Sequence, residues 1–216
     1  MKRIFSIALA LSISFISACT GPTIYTKTDF SDQTKNHKQV ALLPFVVSID
    51  TKHQSKDFTI DVAKKAEQDE SKIFQQKLYA QFLERQAKGK YTIEFQDIDK
   101  TNAILLSSGI TLENIDSFTK EKIAQKLGVN SVISGTIRRS KPMSAGSAIV
   151  LGLLIGGWGN TNRVDIALNV HDGINSDLLW KYDYQASGSV GSSAEGLAKG
   201  LMKGISKDFP YKKKKQ

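Results

Sequence analysis

Cysteine occurs once in this chain of 216 residues, and histidine three times. A lone thiol excludes an intramolecular disulfide framework and any metal site built on paired cysteines. His37, His53 and His171 stand far apart, and none has a second ligand or an acid at metal-site spacing. They read as surface or strand-end residues, His37 within a linker. Also missing is an internal apolar run of the roughly 20 residues that a membrane-crossing helix needs. The stretch AIVLGLLIGGWG, from Ala148 to Gly159, is too short for that. Catalytic loops are absent too. GSVGSS, from Gly188 to Ser193, follows a strand pattern and opens a helix, yet it has no P-loop lysine and does not match the G-x-S-x-G elbow of hydrolases. The acids between residues 57 and 70 form no recognisable acid/base pair and read as a solvated face. The expectation is a protein that is not an enzyme, with no catalytic residue, no cofactor and no metal.

What is present starts at the N-terminus. Met1, Lys2 and Arg3 precede IFSIALALSISFISA and then Cys19. A short positive head followed by an apolar run is an export signal. Ile16, Ser17 and Ala18 directly before Cys19 resemble the lipobox of bacterial lipoproteins. There the thiol takes a diacylglyceryl group and further acylation, commonly palmitate, and cleavage leaves the cysteine as the first residue. Residues 1–18 are thus read as the signal peptide and Cys19 as the lipidation site. Thr20 occupies the position where an aspartate would retain many lipoproteins in the inner membrane, so the expected location is the outer membrane, with the domain facing the periplasm.

The net charge of +9 is partly local, since Lys212–Lys215 form a basic tail within residues 210–216. Export makes nucleic acid an unsuitable partner, and such a tail is either solvated or meets an anionic envelope surface. Residues 19–38 are read as the lipidated cysteine and a flexible tether, because TGPTIYTKTDFSDQTKNHK is polar and aperiodic. On that reading the tether averages about 25 Å end to end and stretches to roughly 60 Å.

A single α/β domain is expected over residues 39–209. Gln39–Val47 reads as a strand buried on both faces. A long helix follows, highly charged over Asp57–Lys72, with Ile73, Phe74, Leu78, Phe82 and Leu83 at helical spacing and Gly89 as its stop. Tyr91–Gln96 alternates as a second strand. Two short helices come next, Asn102–Ser107 behind Thr101 and Lys120–Leu127 behind Thr119, the latter stopping at Gly128. Ser131–Arg138 is the third strand. After an apolar insertion at residues 143–161, Val164–Val170 and Leu178–Ala186 make an antiparallel hairpin. Ser192 and Glu195 have capping-box spacing ahead of a closing helix carrying Leu197, Leu201, Met202 and Ile205. The order β-α-β-α-α-β-β-β-α gives a mixed sheet of about five strands, the first three parallel.

The VALLPF strand, KLGVNSVISGTI from Lys126 to Ile137, and the hairpin DIALNVHDGINSDLLWKYDY together resemble a superfamily of envelope proteins. Its members include the curli secretion channel lipoprotein, the lipoprotein activator of penicillin-binding protein and the N-terminal domain of TolB. The resemblance implies an envelope lipoprotein that works in assembly or partner regulation, through contact with an envelope protein. An oligomeric secretion or pore component is the alternative, and an envelope hydrolase is the reading the residues favour least. The curli channel builds its pore from membrane hairpins of alternating pattern, which the insertion here lacks.

Two surfaces are candidates for contact. Ala148, Gly152 and Gly156 recur every four residues, so on a helix they would form a smooth stripe beside Ile149 and Leu153, with Trp158 at its polar edge. That segment is expected either to self-associate into a homo-oligomer, to dip into the membrane surface, or to pack as core. Arg138 and Arg139, with Trp180 and Tyr182, form either a basic and aromatic partner surface or, for the aromatics, core beneath the closing helix.

Overall fold

The computed structural model describes residues 22–50, 59–140, 163–187 and 193–213. They form one mixed α/β domain around a seven-stranded sheet. Its strands are β1 (Thr23–Thr26), β2 (Gln39–Leu42), β3 (Val46–Ile49), β4 (Glu94–Phe95), β5 (Ser131–Ser140), β6 (Arg163–Asp172) and β7 (Leu178–Ser187). Helices α1 (Phe30–Thr34), α2 (Ile60–Ala87), α3 (Ile98–Ser107), α4 (Lys120–Leu127) and α5 (Ala194–Ile205) complete it, with a single 3-10 turn at Ile115–Ser117. Across the sheet the order is β1-β7-β6-β5-β2-β4, with β3 also paired to β5. As expected, β2, β4 and β5 are parallel, and β6 and β7 add antiparallel strands.

The expected first strand is in fact two. Leu42 pairs with Ile133 and Val46 with Thr136, so three residues on one strand face two on the other. Pro44, which has no N–H to donate, sits in that bulge. Phe45 folds inward there onto Gly135, where a Cβ would overlap the Phe45 ring and stand 2.6 Å from the Ala167 carbonyl oxygen. Glycine at position 135 is therefore the seat on which Phe45 packs.

Helices cover both faces unequally. On one side α2 and α5 bury the larger cluster, including Phe74, Leu78 and Phe82 of α2, Leu197, Leu201 and Ile205 of α5, and Val164, Ile166, Leu168 and Val170 of β6. On the other, α3 and α4 cover β2, the start of β5 and the end of β6, around Ala41, Leu43, Ile123 and Val132. The strict alternation of β6 follows: its even-numbered residues are buried and its odd-numbered ones partly open. The charged half of α2 is not simply solvated, because Ala63, Ala66 and Ser71 are buried and the Glu67 carboxylate accepts the Ile49 N–H at 2.9 Å.

Helix ends mostly follow local chemistry. Thr119 caps α4 by accepting the Lys122 N–H, and Gly128 closes it in the left-handed region at φ 67°. Ser193, one residue beyond Ser192, caps α5 through the Gly196 N–H. The expected cap at Thr101 is wrong. Asp97 caps α3, four residues earlier, and Thr101 lies inside the helix with its hydroxyl donating to the Gln96 side chain at 2.9 Å. The second strand is also shorter than its alternation implies, since only Glu94 and Phe95 pair in the ladder.

The tether reading fails for residues 22–38. Thr23–Thr26 pair with β7 as the edge strand β1, Phe30 of α1 enters the core, and His37 is buried. At the other end Tyr211, assigned to the basic tail, is 2 % exposed and packs edge-on against Phe30 and Phe209. The folded unit thus reaches beyond residues 39–209 on both sides. The physical reason is pairing: a polar segment with no periodicity of its own becomes ordered when a sheet edge supplies its backbone partners.

Candidate functional site

The features most like a reaction centre converge from three distant parts of the chain. His37 follows α1, Asp172 ends β6 and Tyr211 follows Phe209. Tyr211 Oη lies 2.8 Å from His37 Nδ1, and His37 Nε2 lies 3.1 Å from Asp172 Oδ1. The other Asp172 oxygen accepts the Ile174 and Asn175 N–H groups at 3.1 and 3.2 Å, which folds the β6–β7 turn. Burial pushes the His37 imidazole below its ordinary value, and Asp172 opposes this without cancelling it. Burial likewise pushes the Tyr211 phenol up. The neutral arrangement that satisfies every atom has the Tyr211 hydroxyl donating to Nδ1 and Nε2–H donating to Asp172.

This chain has the members of an acid–base relay but no access. The side chains of His37 and Asp172 are 4 % and 5 % exposed, and Ser131, the register partner of Asp172, is fully buried. No substrate can reach it. Its effect is structural, joining the entry of the chain, the hairpin turn and the C-terminal segment.

A pH dependence follows. Below about pH 6.5 the unfolded chain's histidines take up protons, whereas His37 and His171, both lowered mainly by burial, resist protonation when folded. Stability is therefore full above about pH 6.5 and declines as pH falls through the lower folded values. The urea midpoint should drop between about pH 7.5 and pH 5.5, and drop less in His37→Asn. A wild-type midpoint that is flat or rises would contradict this.

The accessible candidate is the part of the sheet that none of the described helices covers. Beyond α3 and α4, the face of β5, β6 and β7 carries Thr136, Arg138, Asp165, Ala167, Asp183 and Gln185, next to an open groove of about 850 Å³ that reaches Pro22, Thr23, Tyr184 and Lys203. Arg163 and Gln185 both bond Asp165 there, at 3.2 and 2.7 Å. Cations, carboxylates and amides alternate on a flat surface. That is chemistry for recognising another protein surface, with no nucleophile–base pair.

The candidate residues are divided by this geometry. Arg138 is exposed on the open face. Arg139 points to the opposite face and is 2 % exposed, its Nε donating to both Glu70 oxygens at 2.5 and 2.6 Å. Successive strand residues alternate sides, so the two arginines could not share a surface. Trp180 and Tyr182 are buried, stacked at 5.8 Å beneath α5 with Phe209 edge-on to Trp180 at 5.7 Å. They are core, and the basic and aromatic partner surface reduces to Arg138. Ile16, Ser17, Ala18 and Cys19 lie outside the described residues, as do Ala148, Ile149, Gly152, Leu153, Gly156 and Trp158. Among the described residues no cluster of three His, Cys, Asp or Glu could hold a metal, and no helix is long and apolar enough to cross a membrane. The buried histidine cluster had no sequence signal, because its members are 135 and 174 residues apart.

No protein-family model matches the sequence, nor does any curated protein. Solved structures similar to this chain include lipoprotein GNA1162 from Neisseria meningitidis, 12% identical, covering 79% of this chain and 95% of its own at a TM-score of 0.40. A PelC dodecamer from Paraburkholderia phytofirmans is 10% identical over 86% of this chain and 94% of its own, with a TM-score of 0.38. The LpoB C-terminal domain from Salmonella enterica is 8% identical over 73% and 92%, with a TM-score of 0.35.

Proposed function

We propose that this chain is a lipoprotein anchored through Cys19 in the outer membrane, its domain in the periplasm, where it acts without catalysis in the assembly or regulation of an envelope complex. One observation carries the non-catalytic part. The His37, Asp172 and Tyr211 groups that most resemble a reaction centre are sealed in the core, while the open face carries Arg138, Asp165, Asp183 and Gln185 beside Thr136. The anchoring part rests on Ile16, Ser17, Ala18 and Cys19 behind a positive head and apolar run.

The reading that adds self-association is favoured by the strand register. Ser140 and Arg163 are direct partners, so a turn of two to five residues would join them. The chain instead spends residues 141–162 there, including Ala148, Gly152 and Leu153. A segment this apolar is costly in water, and a second copy or the membrane surface would cover it.

The test is fractionation. Wild-type protein should partition with membranes and carry a diacylglyceryl mass on its Cys19 peptide, whereas Cys19→Ser should retain its leader and lose the lipid. After removal of the leader, the lipid-free domain should oligomerise or bind liposomes through the apolar segment, and Leu153→Asp should abolish that. Membrane binding of Cys19→Ser with unchanged mobility would refute lipid anchoring. A monomeric lipid-free domain that ignores liposomes would refute the role of the segment.

A further inference from the structure

The strand register places the entry of the chain at a particular end of the sheet. β1 runs antiparallel to β7, with Thr23 opposite Asp183 and Thr26 opposite Trp180. Followed backwards, the chain therefore heads toward Ser187, which pairs with Arg163, which pairs with Ser140. Ser140, Arg163 and Ser187 mark one end of the sheet. The turn at Gly173–Ser176 marks the other, about 30 Å away along β6 and β7.

Only Thr20, Gly21 and Pro22 separate Cys19 from Thr23. Covalent geometry limits that lead to about 14 Å. Four residues lie from Thr23 to Cys19, as many as from Asp183 to Ser187, so the lead just reaches the level of the sheet end. The polar layer of a bilayer is itself about 5–8 Å thick on each side. A domain held by so short a lead cannot stand clear of the membrane or turn its far end toward it.

We propose that the sheet end formed by Ser140, Arg163 and Ser187, together with the N-terminus of β1, rests on the surface of the membrane that holds the lipid, with the β6–β7 turn and the His37 cluster pointing away. The inference rests on lipidation at Cys19. The occupant of this surface is the bilayer carrying the protein's own anchor. Described charges on the strands at that end are mixed, with Arg138 and Arg163 beside Asp165. Tether length and direction set the orientation, and added salt should leave it unchanged.

The experiment uses the full lipidated chain in vesicles of phosphatidylethanolamine and phosphatidylglycerol containing a lipid with a nitroxide headgroup. Because the Cys19 sulfur is held in a thioether to the diacylglyceryl group, Gln185→Cys or Ile174→Cys supplies the one reactive thiol for a fluorophore. Both positions are exposed. Quenching at residue 185 should exceed that at residue 174 several-fold, at low and high salt alike. A flexible insert of about 20 Gly/Ser residues between Gly21 and Pro22, which adds about 25 Å of reach, should equalise the two. Equal quenching without the insert, or stronger quenching at residue 174, would overturn the orientation while leaving the anchor intact. Protein that carries no lipid and does not bind vesicles would sink the anchoring reading itself, and the orientation with it.

Discussion

Truncation after Phe209 should destabilise the domain by about 4 kcal/mol, a large part of the 5–15 kcal/mol typical of a domain. A sequence reading would discard these residues as tail. Yet Tyr211 is 2 % exposed, packs on Phe30 and Phe209, and bonds His37 through its hydroxyl. Its carbonyl also accepts the Thr92 N–H at 2.9 Å, and the Lys213 N–H reaches the Lys90 carbonyl at 2.9 Å. Losing the segment empties an aromatic site and strips His37 of a partner. Tyr211→Phe separates the two effects. It keeps the ring and removes the hydroxyl that meets His37, so it should cost about 1–2 kcal/mol. Urea denaturation of wild type, Tyr211→Phe and the truncation would give this ranking. A truncation within about 0.5 kcal/mol of wild type would show that residues 210–216 are indeed dispensable.

Glu70→Ala is expected to cost about 3–5 kcal/mol, because it removes the bidentate partner of the buried Arg139 guanidinium. The same principle gives the control. Replacing both members, Glu70→Leu with Arg139→Met, should recover most of the loss, since the penalty lies in leaving one charge buried without its carboxylate. The pair ties α2 to the end of β5, where Arg139 also pairs with Ile49 of β3. If Glu70→Ala alone is as stable as wild type, the guanidinium is adequately solvated by its other contacts and the ion pair contributes little.

Both predictions concern contacts that join segments remote in sequence, and this is where sequence reasoning stops. Arg138 and Arg139 look alike in the sequence because composition does not say which face of a strand is covered. Trp180 and Tyr182 had the right alternation for either a core or a surface, and the position of α5 decided between them. His37 looks like a linker residue in the sequence because its local window has no periodicity. Its partners arrive from the hairpin turn and the C-terminus. For the candidate site, the proposed anchor at Cys19 rests on a linear pattern alone, because a processing signal is read as linear sequence. The open face was not legible in that way, since it is defined by where α3 and α4 fail to reach.

By itself the sequence determined whatever depends on short-range physics. The Thr119 cap and Gly128 stop of α4, the apolar face of α5 and the alternation of β6 all follow from bonds and spacings within a few residues, and the parallel-then-antiparallel order from the order of elements and the handedness of crossovers. Tertiary structure alone decided that Thr23–Thr26 join the sheet, that Gln39–Ile49 breaks into two strands over Gly135, and that His37, Asp172 and Tyr211 meet in the core. Each of these depends on a backbone edge, a cavity or a polar partner supplied from far along the chain. A polar residue is stable in the core only when such a partner is there to meet it.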